Sequence, residues 1–207
     1  MQSRISGELY DYWRRVKGEG DAPYRHAVEP ADIRALLPFL FILEQVPAAA
    51  PRFRLAGTRL CELFARELRG SDFGGVFAAD IRNRVARIGG NTMAHGTPAV
   101  LEATAYGSHP RGTRVELVLL PMRSAGGETD RLIGALSPLE DLDLLAVPFR
   151  YMALDGVTAI DAAQGGETVA SRPALPLAPP AATGNTMFGA AVRRVLHLKV
   201  FDGDKHR

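Results

Sequence analysis

The sequence predicts an α+β domain, and three observations predict it. Between residues 51 and 70 the hydrophobic period changes once: Arg52 to Ala56 alternate charged and apolar, as in a half-buried strand. After Gly57-Thr58, Leu60, Phe64 and Leu68 recur every fourth residue, as in a short amphipathic helix. Alternating or continuous apolar runs at 39–43, 100–106, 113–120 and 132–136 supply further strands. A helically spaced segment at 78–95 separates the first two strands from the last three. The order is two strands, a group of helices, then three strands.

Composition sets the outer limits. In 207 residues, 46% hydrophobic content supports a real core, and 23% charged content describes a soluble globular chain. A formal charge of +2 gives no reason to expect nucleic acid. One cysteine rules out an internal disulfide framework and suits a reducing compartment. Neither a signal-type leader nor an apolar run long enough to span a membrane is seen, so a cytoplasmic protein is expected.

Each element follows from local chemistry. Residues 1–20 hold an amphipathic helix over 4–17, with Ile5, Leu9, Tyr12, Trp13 and Val16 on one stripe, Ser3 or Ser6 as cap, and Gly18 as stop. The stripe either packs the helix on its own domain or pairs it with a partner, since Trp and Arg dominate binding hot spots. Pro30 and Pro38 bracket one short helix of about two turns, because proline suits a first turn and cannot continue a helix. The run 39–43 is a strand covered on both faces, and prolines 47 and 51 turn it into a hairpin with 52–57. Thr58 is placed to cap the next helix and Gly70 to end it.

In the helix at 78–95, Gly89-Gly90 predicts a kink or break. His109-Pro110-Arg111-Gly112 is a turn, and 124–130 is a hairpin loop before the last strand. With 21–140 as the core, 141–161 is an extension that could edge the sheet or pack back on it. Residues 162–186, rich in Pro, Ala and Gly, read as a linker, and 187–207 as a helical tail built on Phe188, Val192, Val195 and Leu196.

Five stretches then carry a resemblance. They are Leu9-Tyr10-Asp11-Tyr12-Trp13-Arg14-Arg15, the Pro30-to-Pro38 segment, Arg52 to Thr58, Glu67-Leu68-Arg69-Gly70, and Leu119-Leu120-Pro121. In this order, over residues 5–140, the chain resembles the PAS superfamily, and more narrowly a bacterial single-domain PAS-like family. The resemblance implies a five-stranded antiparallel sheet with helices on one face, preceded by an amphipathic N-terminal helix. It also implies a regulatory role, with no catalytic residues to carry over.

Such a sheet encloses an apolar space where a small ligand could bind. Its expected lining is Phe41, Leu43, Phe53, Leu55, Leu63, Ile88, Val115, Leu117, Leu119 and Leu136; the same residues, tightly packed, would simply be a core. Light-sensing PAS relatives use a cysteine, but Cys61 lies in Arg59-Leu60-Cys61-Glu62-Leu63, which does not match their motif, so a buried structural thiol is expected. His95 is a weak haem candidate, because haem-binding relatives take an axial ligand from this helix. Neither haem nor flavin is expected, nor is any metal site. Nucleophile–base pairs and phosphate-cradling glycine motifs are lacking, so no enzyme is expected. The expected function is a non-enzymatic regulator in bacterial signal transduction that binds signalling proteins such as sensor histidine kinases. A homodimer is also expected, with Leu9, Tyr12, Trp13 and Val16 as the contact face. The alternative is a small-molecule sensor using the apolar cavity.

Overall fold

In a computed structural model of the chain, residues 1–47, 49–107, 111–140 and 147–160 are described, together with the backbone of 168–170. The hinge of the expected turn at 109–110, most of 162–186 and the tail at 187–207 lie outside the described residues.

One antiparallel sheet runs in the order β2-β1-β5-β4-β3-β6-β7. Its strands are β1 (Leu40–Glu44), β2 (Arg52–Ala56), β3 (Ala99–Tyr106), β4 (Thr113–Met122), β5 (Arg131–Pro138), β6 (Tyr151–Ile160) and β7 (Thr168–Ala170). The five expected strands are present in the expected order. Two more extend it: β6, from the stretch expected either to edge the sheet or to pack back on it, pairs along the whole of β3, and the unforeseen β7 adds to β6 within what was read as linker. The pattern of β6 is hidden because Asp155 is an extra residue between the Glu102–Gly156 and Ala103–Leu154 pairs. Such a bulge breaks the period-two alternation from which a strand is recognised.

Both faces of the sheet are covered. Alternation along β4 explains how: Val115, Leu117 and Leu119 enter one core, and Val118, Leu120 and Met122 enter the other. Over the first face lie α2 (Thr58–Phe64), a 3₁₀ turn at Phe73–Val76 and α3 (Arg82–His95), all from the connection between β2 and β3. Over the second lie α1 (Arg4–Lys17) and the segment that follows it. The bounds of α1 are those expected, and of the two candidate caps it is Ser3 whose hydroxyl accepts from the Ile5 N–H.

Several local expectations need correction. The segment 29–38 is not one helix but two 3₁₀ turns, Pro30–Ile33 and Leu37–Phe39. Pro38 has no N–H to continue a helical ladder, so the chain restarts instead of extending. Gly57, not Thr58, is the N-cap of α2, and the helix closes early through Ala65 at φ 47°. Gly70 is left-handed at φ 81°, but it serves the later turn in which its N–H donates to the Phe53 carbonyl at 2.7 Å. Finally, α3 runs unbroken through Gly89-Gly90 and starts four residues later than expected. Gly89 faces the Phe73 ring and Pro51, and this tertiary support outweighs the weak helix propensity.

Two glycines respond in opposite directions to a methyl group. At Gly57 a Cβ would run into the carbonyl oxygens of Leu37 and Pro38, whereas at Gly90 the nearest atom is Gln45 Oε1 at 3.8 Å. Gly57→Ala is expected to lower unfolding free energy by about 1–3 kcal/mol, and Gly90→Ala to raise it by about 0.5–1 kcal/mol. Urea denaturation followed by circular dichroism checks both signs.

Candidate functional site

Nine of the ten residues expected to line a cavity do come together. Phe41, Leu43, Phe53, Leu63, Val115, Leu117, Leu119 and Leu136 are buried in one cluster, with Ile88 packed at its margin. Sequence reasoning missed what fills the middle. Phe73 lies 6.1 Å from Phe41, 5.8 Å from Phe53 and 5.7 Å from Phe77, centroid to centroid. Edge-on and stacked contacts at these separations are favourable ring geometries. Gly134 on β5 makes room for this quartet, since any Cβ there would strike the Phe41 ring. Phenylalanine rings thus occupy the face where the cavity was expected.

Leu55 is the tenth residue, and it is elsewhere. In the β1–β2 ladder Ile42 pairs with Leu55 and Leu43 pairs with Phe53, so Arg54 is one residue too many. This bulge reverses the phase of β2 beyond it. Phe53 stays in the inner core, while Leu55 emerges on the opposite face at 46% exposure.

There Leu55 helps to form an open cleft of about 290 Å³ under the segment that follows α1. Its apolar walls include Val28, Ile33, Leu40, Ile42 and Ile133, and Arg25 and His26 stand on its rim. A second, polar hollow of about 410 Å³ shares Arg25, Ile42 and Leu55 with it and adds Arg54, Glu67 and Arg69. The rim is held by backbone pairing. Arg25 N–H donates to the Arg123 carbonyl at 2.9 Å, and Arg123 N–H to the Pro23 carbonyl at 2.9 Å. The second-face apolar residues of β4 were a usable signal for this layer, but nothing in the sequence marked Arg25.

The model of the PAS domain matches residues 1–137. The chain belongs to the PAS domain family. Among solved structures, a light-oxygen-voltage domain studied with a flavin analogue is 9% identical, with a TM-score of 0.43 over 55% of this chain and 84% of that one. The light state of the blue-light photoreceptor Aureochrome1 LOV is 11% identical, with a TM-score of 0.41 over 54% of this chain and 88% of that one. Likeness of this degree says nothing about what this chain binds. No curated protein matches it. As a PAS domain the chain is a signal-sensing regulatory module.

The face of this PAS domain expected to meet a partner is spent inside the chain. Leu9, Tyr12 and Trp13 are buried on the second sheet face, and Val16 packs against them. Trp13 Nε1–H donates to the Pro121 carbonyl at 2.7 Å. The Tyr12 hydroxyl accepts from the Glu29 N–H at 2.7 Å, tying α1 to the segment that roofs the cleft. At the other end, the fully buried Glu116 carboxylate on β4 accepts from the Gln2 N–H at 2.7 Å and the Ser3 N–H at 3.1 Å. An amphipathic stripe packs wherever apolar surface is nearest, and β4 offers it.

Cys61 and His95, weighed for cofactor chemistry in the sequence, are placed as follows. Cys61 is half-exposed, not buried as expected, and its thiol meets Glu67 Oε1 at 3.7 Å. His95 is exposed at the end of α3, a poor position for an axial haem ligand. Among the described residues, no group of three His, Cys, Asp or Glu side chains could hold a metal ion. Nor is any helix of the described residues long and apolar enough to cross a membrane.

The titration of Glu67 is displaced. The Arg69 N–H is the main cause holding its carboxyl below the ordinary carboxylate value. Leu68 N–H, the Cys61 thiol and the Arg69 charge act in the same direction, against partial desolvation. A depressed folded value means that the contribution to stability is present above the unfolded value and is lost as pH falls through the folded one. Wild type should therefore be more stable than Glu67→Gln at neutral pH, and the gap should close in acid; thermal melts across that range check it. Trp13→Ala, by removing a ring buried in the second core, is expected to cost about 3–5 kcal/mol of unfolding free energy in the same assay.

Proposed function

We infer that the chain is a non-enzymatic regulatory PAS domain that signals by binding other proteins in the cytoplasm, sensor histidine kinases being the expected partners. The observation that carries this reading is the aromatic cluster on the inner face. With Phe73 packed against Phe41, Phe53 and Phe77, aromatic side chains take up space on the inner face that a ligand there would have to share. What the domain offers other molecules is its exterior.

The transmitting element in this reading is α1. Its two ends are fixed to one strand, by Glu116 near the start and by the Pro121 carbonyl near the close of β4. Any contact that repacks β4 therefore acts on α1 directly. Its outer side is charged, with Arg14 over the Tyr10 ring and Arg15 over the Tyr12 ring, at 5.9 Å and 5.3 Å. Aromatic rings capped by guanidinium groups are the composition that binding hot spots favour. A partner, or a second copy of the chain, would meet this charged side and not the apolar stripe.

The test is a binding and phosphotransfer assay with purified sensor kinases from the same cell. A saturable complex with one of them, a change in its autophosphorylation rate, and at least tenfold weaker binding by Arg14→Glu/Arg15→Glu are expected. If the chain binds none of the kinases, or if the doubly substituted chain binds as well as wild type, the reading is wrong.

A further inference from the structure

We propose that the cleft on the second face of the sheet is a binding site for a small amphipathic anion: an apolar chain ending in a carboxylate or phosphate. The cleft is built in two connected parts. Ile33, Leu40, Ile42 and Ile133 wall the apolar part, whose volume of about 290 Å³ is at the small end of ligand sites. The adjoining polar hollow collects Arg25, Arg54 and Arg69 against the single carboxylate of Glu67. Arg25, Ile42 and Leu55 belong to both, so a ligand can lie in the apolar part and reach the guanidinium groups.

Charge selects the head group. Arg54 already bonds Glu44 at 2.9 Å, and Arg69 lies beside Glu67. Arg25 forms no ion pair among the described residues, and its backbone is pinned to Arg123. An exposed guanidinium beside an apolar hollow, with no ion pair among the described residues, is free to meet a planar or tetrahedral oxyanion in bidentate contact. The bulge at Arg54 supports both halves at once: it sends Leu55 to the apolar wall and adds Arg54 to the polar lining. A neutral ligand would use only the first half. This site is separate from the inner core and does not depend on which protein the domain signals to.

Calorimetric titration of the full chain with decanoate, decyl phosphate and decanol tests the proposal. One saturable site for at least one of the two anions is expected, with decanol at least about tenfold weaker. Whether decanoate or decyl phosphate binds more tightly assigns the head group, and either order supports the site. Arg25→Ala should weaken anion binding by about tenfold, and more salt should weaken it further. Leu55→Trp, at an exposed position, should fill the apolar part and abolish binding while leaving the circular dichroism spectrum unchanged. Leu136→Val, in the inner core, should leave binding as it was. The proposal is overturned if neither anion binds, if decanol binds as tightly as the anions, or if binding survives both Arg25→Ala and Leu55→Trp. Loss of binding in Leu136→Val alone would place the ligand in the inner core and equally overturn it.

Discussion

Everything in this molecule hangs on β4 being apolar on both sides. From Val115 to Met122 its side chains feed two cores in turn, and every residue of that stretch is buried. A strand of this kind is unstable with one face wet, because three large apolar side chains would be left in water at roughly 1.5–3 kcal/mol each. One face is covered by the helices between β2 and β3. The other must be covered too, and α1 with its following segment is the only piece of the N-terminal chain amphipathic enough to do it. Docking of α1 is thus a demand of the sheet and not an accessory to it.

Two consequences follow for function. Because the apolar stripe of α1 is used within the chain, only its charged side remains for other molecules. Because the segment after α1 has to span from the helix to β1, it crosses the sheet as short 3₁₀ turns, which cover the apolar surface incompletely. The cleft is what that incomplete cover leaves. On the inner side, the rings of Phe73 and Phe77 take up space in a way that the sequence pattern did not announce.

Much of this was legible in the sequence. The bounds of α1 and the alternation in β3, β4 and β5 follow from periodicity, because each of those segments is regular, and prolines 47 and 51 marked the hairpin of β1 and β2. What was lost was lost at irregularities. A single bulged residue, Arg54, carried Leu55 from the expected cavity lining to the outer face. Another, Asp155, broke the alternation of β6, so that its stretch was left between edging the sheet and packing back on it. Gly89 and Gly90 suggested a break that packing on Phe73 overrode. Phe73 and Phe77 were passed over because they begin and follow a glycine-rich 3₁₀ turn with no period to read. Local patterns report regular backbone, whereas bulges and short turns are decided by neighbours distant in sequence.

The most direct test of the account is amide hydrogen exchange over α1 and β4 in the native full-length chain. If the second core is one cooperative unit, the amides of residues 9–16 and of β4 exchange slowly and in the same class, at close to the free energy of global unfolding. Exchange of α1 within seconds while β4 stays protected would show that the second face does not need its cover, and would contradict the account.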